Sequence, residues 1–361
     1  MKHVLMITND TNFAYNLRRE VLCRFVKEGY RVTLVGEILD FRKEFESFGC
    51  ELIDMKTGRH GTSIIQDLKL FVRYFSVLRK AKPDVVLTNN IKPNVYGGLS
   101  CQLLGIPYIP NITGLGTPVE HPGPMQKLTT MLYKIGVAGA KTVLFQNSEN
   151  LKFFQDRKML SPKSKVVLLP GSGVNLQSHP LLPYPDTGKT HFLFVARVMK
   201  EKGIDLFLSA ARKFHREDLV FEVVGGCDDE NYLRILKEAQ EAGLIVYHGL
   251  QKDMTPFYQR CSCFLYPSYY PEGMSNVLLE AAACGRPVIS ANRSGCRETV
   301  DDGVTGYIVP VNDEAATLNA VEKFLTLSQE ARIAMGLAGR AKIEREFDRE
   351  TVVQMYIDQL S

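Results

Sequence analysis

The segment spanning residues 261–290 constrains the fold more than any other part of the chain. An apolar run at 261–266 is followed by a turn-rich stretch, a helical pattern that starts near Ser275, and a second apolar run at 287–290. Two short buried strands joined by a helix form a βαβ unit, in which the strands are parallel. In open sheets of this kind, ligands bind at the carboxyl ends of the strands. Polar residues after residue 266 are therefore the first candidates for a binding site.

The same alternation of strand and helix continues through the whole chain, which predicts parallel sheets with helices on both faces. A length of 361 residues favours two domains. We predict an α/β fold with two Rossmann-like, doubly wound parallel-sheet domains facing a central cleft. The Pro-, Gly- and Ser-rich stretch at 171–186 is the predicted hinge between domains at 1–170 and 187–348. Strands are predicted at 2–8, 31–35, 51–54, 84–88, 107–111, 142–146, 166–169, 191–196, 220–224, 245–248, 262–266, 287–290 and 307–309.

Two carboxylates, Glu272 and Glu280, lie eight residues apart across the start of the predicted helix. Ser275 or Asn276 is a suitable N-cap, and the first free backbone N–H groups beyond it form an anion site. Because helical side chains lean toward the helix N-terminus, Glu280 can aim its carboxylate back at the same point. There it could accept hydrogen bonds from two neighbouring hydroxyls, as on a ribose. The alternative is that both acids only complement the helix dipole.

Two cations follow another predicted strand, at 191–196. Arg197 ends that strand and Lys202 comes five residues later, before the next helix. An arginine fork and a lysine point charge together suit a diphosphate that has left water. For these two residues in isolation, solvated charges in a loop are the better interpretation. The acidic segment and the basic segment together favour a site for a phosphorylated ligand.

These residues resemble the retaining GT-B glycosyltransferases of family 4. The Glu-x7-Glu signature of that family matches Glu272 and Glu280, and its Arg–Lys pair matches Arg197 and Lys202. Shorter matches include the segments at 171–175, 223–226, 266–268, 285–289 and 303–306. The resemblance is specific over about residues 165–345 and weaker before that. In this family the last helix crosses back onto the N-terminal domain, which we expect of residues 349–361.

The segments at 16–18 and 111–116 resemble a bacterial subgroup that builds lipid-linked oligosaccharides, O-antigen or capsule. The resemblance implies transfer of a hexose or N-acetylhexosamine from a UDP-sugar to an undecaprenyl-diphosphate-linked glycan. The N-terminal domain would then bind the acceptor, and the C-terminal domain would bind the nucleotide sugar. A UDP-N-acetylglucosamine 2-epimerase-like enzyme and a non-catalytic sugar-nucleotide-binding subunit are the alternatives.

The resemblance also implies a role for each matching residue. Glu280 would hold the ribose hydroxyls, Glu272 would contact the donor sugar, and Arg197 and Lys202 would stabilise the departing diphosphate. Backbone N–H groups would surround the sugar and the phosphates over Gly273, Met274, Ser275, Asn276 and Val277.

The chain departs from the family pattern in its first loop, at 9–13, which lacks the usual glycine pair. Asn12 is the candidate phosphate contact in this loop, since Asn and Asp form tight local turns without glycine. Many members of the family also place a histidine near the sugar. Here His121 and Thr113 are the candidates for that position.

No Asp-x-Asp pair occurs in the sequence, so we expect no obligatory metal. The pattern Gly114-Leu115-Gly116 lacks the third glycine of a dinucleotide fingerprint, and we expect no NAD and no other obligatory cofactor. No nucleic-acid partner is expected. Eight cysteines lie without metal-ligand spacing, which favours reduced thiols in a cytoplasmic protein.

No run of about 18 apolar residues occurs, so no membrane span is expected. Charge is uneven around a net +4, with a basic N-terminal half and an acidic C-terminal half. The stretches at 64–82 and 124–141 read as basic amphipathic helices, which are able to lie on an anionic membrane. Such helices more often pack on their own sheet. Peripheral contact with the inner face of the cell membrane is therefore one of two interpretations.

Overall fold

The computed structural model describes residues 1–56, 64–116, 119–120 and 122–360. The chain divides into two compact units. The first unit comprises Met1–Ser172, Glu272–Met274 and Arg349–Ser361, and the second unit comprises Gly173–Pro271 and Ser275–Asp348. Each unit is built around one parallel sheet with helices on its faces.

The first unit contains a seven-stranded parallel sheet in the order β3-β2-β1-β4-β5-β6-β7. Its apolar strands are buried on both faces, as expected of a parallel sheet covered by helices. The strands are β1 (His3–Asp10), β2 (Arg31–Glu37), β3 (Cys50–Asp54), β4 (Val85–Asn89), β5 (Tyr108–Ile112), β6 (Thr142–Phe145) and β7 (Lys165–Leu168). The helices are α1 (Thr11–Lys27), α2 (Arg42–Ser47), α3 (Ile64–Ala81), α4 (Gly98–Leu104, after a π-helical turn at Pro93–Gly97), α5 (Pro124–Val137) and α6 (Ser148–Asp156).

The second unit contains a six-stranded parallel sheet in the order β10-β9-β8-β11-β12-β13. Stacked phenylalanines, such as Phe192 against Phe221 with ring centroids 4.9 Å apart, fill one side of it. The strands are β8 (Thr190–Val195), β9 (Leu219–Val224), β10 (Val246–Tyr247), β11 (Cys263–Tyr266), β12 (Val288–Ala291) and β13 (Gly306–Val309). The helices are α7 (Ile204–Lys213), α8 (Glu230–Glu241), α9 (Thr255–Arg260), α10 (Asn276–Ala283), α11 (Glu314–Leu325) and α12 (Gln329–Glu346).

All thirteen predicted strands are confirmed, each to within one or two residues at its ends. The largest difference is at the N-terminus, where the predicted loop at 9–13 does not exist. β1 runs to Asp10 and α1 begins at once at Thr11, because the Asp10 carboxylate accepts a hydrogen bond from Phe13 N at 2.9 Å and caps the helix. β1 therefore joins α1 directly, without a glycine-containing loop between them.

The segment predicted as a hinge, 171–186, is tied to the second unit from Gly173 onward. Val174 N donates to Phe347 O at 2.9 Å, and Leu182 N donates to Cys284 O at 3.3 Å. The buried Arg286 donates from Nη2 to Pro183 O at 2.7 Å. Most of this segment is thus part of the packing of the second unit.

The last helix, α13 (Arg349–Ile357), belongs to the first unit, where it packs on α1. It follows the predicted break near Phe347, since α12 ends at Glu346. Arg349 pairs with Glu20 of α1 at 3.0 Å, and both side chains are largely buried. Within the residues that the structure describes, no helix has both the length and the apolar character to span a membrane.

Candidate functional site

The sheet of the second unit has a topological switch point between β8 and β11. From β8 the chain moves outward to β9 and β10 on one side, and β11, β12 and β13 continue on the other side. Ligands of open parallel sheets bind at the carboxyl ends of the strands that flank such a point. Arg197 and Lys202 follow β8, and the start of α10 follows β11. Residues predicted from two distant sequence segments therefore lie after the two strands that flank one switch point.

Two glycines allow backbone segments to approach closely at this edge. Gly225, just after β9, has a φ of +142°, and a Cβ there would lie 1.7 Å from Ala196 O. Gly203, just after Lys202, has a φ of +82°, and a Cβ there would lie 2.5 Å from Pro267 O. Only glycine fits these positions without a backbone shift. The loop after β8 is therefore fixed between its two neighbours.

The two cations on this loop have different surroundings. Arg197 is exposed, and its Nη2 contacts Met199 Sδ at 3.4 Å. No carboxylate among the described residues pairs with Arg197. Lys202 is half-buried, and its Nζ lies 4.5 Å from the ring centroid of Tyr270 and 5.9 Å from that of Tyr266. Aromatic faces attract a cation, so the two rings favour this position of the Lys202 ammonium group.

The N-terminus of α10 lies where the sequence predicts it, with Ser275 as the N-cap residue. Ser275 occupies the N-cap position but makes no side-chain capping bond, and its buried Oγ has no partner among the described atoms. The Ser275 N–H itself is occupied, since it donates to Gly295 O at 2.7 Å. Its predicted role as a ligand donor through this N–H is therefore not available in this structure. The N–H groups of Asn276 and Val277, in the first turn, are not capped by a side chain, which suits an anion.

Glu280 lies on the second turn of α10, with a quarter of its side chain exposed. Its Oε2 accepts a hydrogen bond from the buried Tyr258 hydroxyl at 2.9 Å, and His179 Nε2 lies 4.0 Å from the same oxygen. In the described part of the chain, Oε1 has no hydrogen-bond partner. A carboxylate accepts about four hydrogen bonds in total, so Glu280 retains the capacity for two ligand hydroxyls.

The acidic loop Glu272–Met274 belongs by its contacts to the first unit. Asn147, which follows β6, donates from Nδ2 to the carbonyls of Glu272 at 3.1 Å and Gly273 at 2.6 Å. A Cβ on Gly273 would lie 2.2 Å from Thr113 O and 2.5 Å from Gln146 Oε1, so this position requires glycine. The loop that carries the Glu272 side chain is therefore clamped at its backbone.

The other candidate residues assigned to the first unit lie in different places. The Thr113 carbonyl lies against Gly273, which places Thr113 beside the acidic loop. Met274 packs near Gly171, where a Cβ would lie 2.5 Å from Met274 Cβ. Asn12 lies in the first turn of α1, with its buried Oδ1 lacking a partner among the described atoms. His121 lies outside the described residues.

Three residues of these sites were missed from the sequence: Tyr258, His179 and Asn147. His179 lies in the segment interpreted as a hinge, and Tyr258 lies on a helix of only six residues. For Asn147 a signal was present. The polar pair Gln146-Asn147 directly follows a buried strand, where ligand-side residues of parallel sheets are found.

Comparison with known families agrees with the motif assignment. Residues 184–342 match the family model of glycosyl transferases group 1, and residues 3–147 match the glycosyl transferase 4-like model. The two matches together cover most of the chain. This protein is a glycosyltransferase that joins a glycosyl transferase 4-like domain to a glycosyl transferases group 1 domain.

Curated relatives extend over most of the chain. The N,N'-diacetylbacillosaminyl-diphospho-undecaprenol alpha-1,3-N-acetylgalactosaminyltransferase of Campylobacter jejuni is 25% identical over 339 residues, which cover 88% of this chain and 87% of the relative. The capsular polysaccharide biosynthesis glycosyltransferase CapM of Staphylococcus aureus is 24% identical over 330 residues, with 86% and 85% covered.

Among solved structures, Anabaena Alr3699/HepE in complex with UDP and glucose matches with a TM-score of 0.81. The match covers 100% of this chain and 99% of the other, at 16% sequence identity. A likeness at this identity concerns the fold alone. It confirms the predicted architecture of two Rossmann-like parallel-sheet domains, the GT-B fold.

The clamp on the acidic loop predicts the effect of one isosteric substitution. Asn147→Asp keeps Oδ1, which caps α6 by accepting from Asn150 N at 2.8 Å, but it replaces the donor to the loop with a charged acceptor. Because the new oxygen faces two carbonyl oxygens, the loop should shift away from it. We expect transferase kcat/KM to fall roughly tenfold or more.

Asn150→Asp is the matched control for this substitution. It makes the same change on the same helix, at a side chain whose Nδ2 has no partner among the described atoms. Activity of Asn147→Asp equal to that of Asn150→Asp would contradict the role of the clamp.

Proposed function

We propose that this protein is a retaining glycosyltransferase that moves a hexose or N-acetylhexosamine from a UDP-sugar to an undecaprenyl-diphosphate-linked glycan in polysaccharide biosynthesis. The observation that carries the proposal is the pair of cations at the β8/β11 switch point. Arg197 has no carboxylate partner in the described chain, and Lys202 is held against aromatic rings. Together with the first turn of α10 they offer positive charge where a diphosphate would lie.

The proposed nucleotide contact is Glu280, whose Oε1 is open to ribose hydroxyls. UDP as the nucleotide is supported by the complex of Alr3699/HepE with UDP and glucose. Glu272 is assigned to the donor sugar, with Gly273, Met274, Asn276 and Val277 around it. Thr113, whose carbonyl touches Gly273, is the proposed contact of the first unit at the same loop.

The proposed acceptor rests on the names of the curated relatives. One of them acts on a diphospho-undecaprenol-linked sugar, and another takes part in capsular polysaccharide biosynthesis. The first unit is the proposed acceptor-binding unit, since the nucleotide contacts proposed above come mostly from the second. No enzymic metal is required in this account, because Arg197 and Lys202 neutralise the leaving diphosphate.

The proposed chemistry is a front-face displacement. The acceptor hydroxyl oxygen forms a bond to the anomeric carbon, and the bond from that carbon to the phosphate oxygen breaks on the same side. The leaving UDP takes the electron pair, and the hydroxyl proton passes to the departing phosphate oxygen. Arg197 and Lys202 act by stabilising the charge that develops on that oxygen, and the acidic loop acts by positioning the sugar.

A nucleotide-release assay across a panel of UDP- and GDP-sugars, with and without a lipid-linked acceptor, tests this proposal. We expect release from one UDP-sugar that depends on the acceptor, is unaffected by EDTA, and yields a product with the donor's anomeric configuration. Turnover of UDP-N-acetylglucosamine without acceptor would favour an epimerase instead. Tight UDP binding with no turnover of any donor would favour a binding subunit.

In the same assay, Arg197→Ala and Lys202→Ala should each lower kcat on the order of 100-fold, since each removes one preorganised charge from the leaving group. Lys200→Ala is the control, because Lys200 is exposed in the same turn as Lys202. The proposal fails if both Arg197→Ala and Lys202→Ala turn over at the rate of Lys200→Ala.

We propose further that the first unit contacts an anionic membrane through α5 and α3. One face of each helix packs on the sheet, through Tyr133 and Val137 in α5 and through Tyr74 in α3. A second apolar face of each helix is exposed, flanked by exposed lysines and arginines. The exposed apolar residues are Met125 (45%), Leu128 (45%), Met131 (52%) and Ile135 (41%) in α5, and Ile64 (84%), Ile65 (67%), Leu68 (61%) and Val72 (55%) in α3.

Both interpretations of the amphipathic helices thus have a structural counterpart. The inner face serves the sheet, and the outer face, with Lys127 and Lys134 beside it, suits anionic lipid. An enzyme that uses a membrane-embedded acceptor would benefit from such a contact.

Co-sedimentation with vesicles tests the membrane surface. The wild type should bind vesicles that contain phosphatidylglycerol more tightly than neutral vesicles, and salt should weaken the binding. Leu128→Ser/Met131→Ser should lower the partition coefficient at least about tenfold, because two apolar side chains no longer enter the lipid. Leu337→Ser, at an exposed leucine of α12 in the second unit, is the control. Equal binding of the double variant and the control would contradict the proposal.

A further inference from the structure

The orientation of Glu280 is set by a helix that no motif marks. α9 (Thr255–Arg260) has six residues, which is too short to be stable alone. It carries Tyr258, of which 1% is exposed, and the Tyr258 hydroxyl donates to Glu280 Oε2 at 2.9 Å. A buried phenol needs a hydrogen-bond partner, and here that partner is the carboxylate.

The Tyr258 hydroxyl keeps its proton and so remains the hydrogen-bond donor in this contact. Burial, and then the neighbouring charge of Glu280, raise the pKa of Tyr258 well above its usual range. The phenol therefore stays protonated, and the proton of the bond belongs to Tyr258. The bond from the phenol to Oε2 holds the carboxylate in one rotamer. Because it uses only one acceptor position on Oε2, Oε1 remains open to a ligand.

A buried ion cluster holds α9 in its place. Glu222 of β9 is 4% exposed and accepts from Arg260 at 2.8 and 3.0 Å through Nε and at 2.6 Å through Nη2. His191 Nδ1 and His248 Nε2 lie 2.8 and 2.9 Å from the same carboxylate. Burial opposes ionisation of Glu222, but the hydrogen bonds from His191 and Arg260 outweigh it and lower its pKa to about 2. The carboxylate is thus charged at neutral pH.

The Arg260 fork links this cluster to the backbone of α9. Arg260 is the last residue of the helix, its Nη1 donates to Pro256 O at 3.0 Å, and its guanidinium lies 4.4 Å from the ring centroid of Phe257. Glu222 therefore holds the C-terminal end of the short helix, and Arg260 links that end back to the first turn. The neighbouring Tyr258 is consequently placed by the sheet itself and not by a flexible loop.

We propose that α9 is a positioning element for the nucleotide. Tyr258 orients Glu280 toward the ribose, and the Glu222–Arg260 pair keeps α9, and with it Tyr258, in position. This inference rests on the proposed ribose role of Glu280. Tyr258 touches no part of the ligand in this account, so it is a positioning residue. Its loss should weaken the recognition of ribose hydroxyls more than the binding of the diphosphate.

Calorimetric titration with UDP and with 2′-deoxy-UDP tests this inference. The wild type should bind UDP more tightly than 2′-deoxy-UDP, because the deoxy analogue lacks a hydroxyl that would donate a hydrogen bond to Glu280. Tyr258→Phe should weaken UDP binding roughly 3- to 10-fold and 2′-deoxy-UDP binding much less, so that the two affinities converge. A merely structural role would weaken both ligands equally.

Tyr184→Phe is the matched control, since its hydroxyl also donates within the second unit, to Ser262 O at 3.2 Å, away from Glu280. Arg260→Lys keeps the charge but loses the fork, and it should shift the ratio of affinities in the same direction as Tyr258→Phe. If Arg260→Lys does not fold, the result for Tyr258→Phe still decides the role of the phenol.

The outcomes separate this inference from the function on which it rests. A wild-type preference for UDP that Tyr258→Phe leaves unchanged overturns the positioning role alone. A wild type that binds UDP and 2′-deoxy-UDP equally overturns the ribose role of Glu280, and the positioning role with it. A ratio that falls equally in Tyr258→Phe and Tyr184→Phe also overturns the inference, because the effect would then be general.

Discussion

The close approach of Gly225 to the Ala196 carbonyl fixes the backbone at the carboxyl ends of β8 and β9, where the candidate site of the second unit begins. With 1.7 Å between that oxygen and a hypothetical Cβ, no other residue fits without a backbone shift. The approach fixes the loop after β8, and Gly203 fixes its far end against Pro267. The positions of Arg197 and Lys202 follow from two glycines that bear no chemistry of their own. A loop held in this way offers charge in a fixed geometry, which is what electrostatic stabilisation of a leaving group requires.

Under the proposed function, the second unit meets the two parts of a nucleotide sugar with groups of opposite charge. Cations follow β8, whereas the carboxylate of Glu280 projects from α10 after β11. A diphosphate and a ribose need these opposite partners, because the phosphates accept hydrogen bonds and the hydroxyls donate them. The backbone at the acidic loop is held from the first unit by Asn147. Under the proposed function, each chemical part of the donor thus has a separately anchored contact.

The sequence was sufficient for the fold because each strand is a short apolar run bounded by turn or cap residues, and this local pattern survives in the structure. It marked Arg197, Lys202, Glu272 and Glu280 as candidates through a family motif, and their roles stay predictions. It failed where contacts are long-range in sequence. Tyr258 reaches Glu280 across 22 residues and Asn147 reaches Gly273 across 126, and no local spacing encodes either pair. Ser275 is a residue type that favours the N-cap position, but its N–H donates to Gly295 O. No local pattern in the sequence encodes that contact either.

We expect a sugar nucleotide to bind at the β8/β11 switch point of the second unit. A crystal structure of the protein with UDP tests it most directly. Phosphate oxygens should lie within hydrogen-bond distance of Arg197 and Lys202, and ribose hydroxyls should donate to Glu280. UDP bound at another edge of the sheet, or with its phosphates away from both cations, would contradict it.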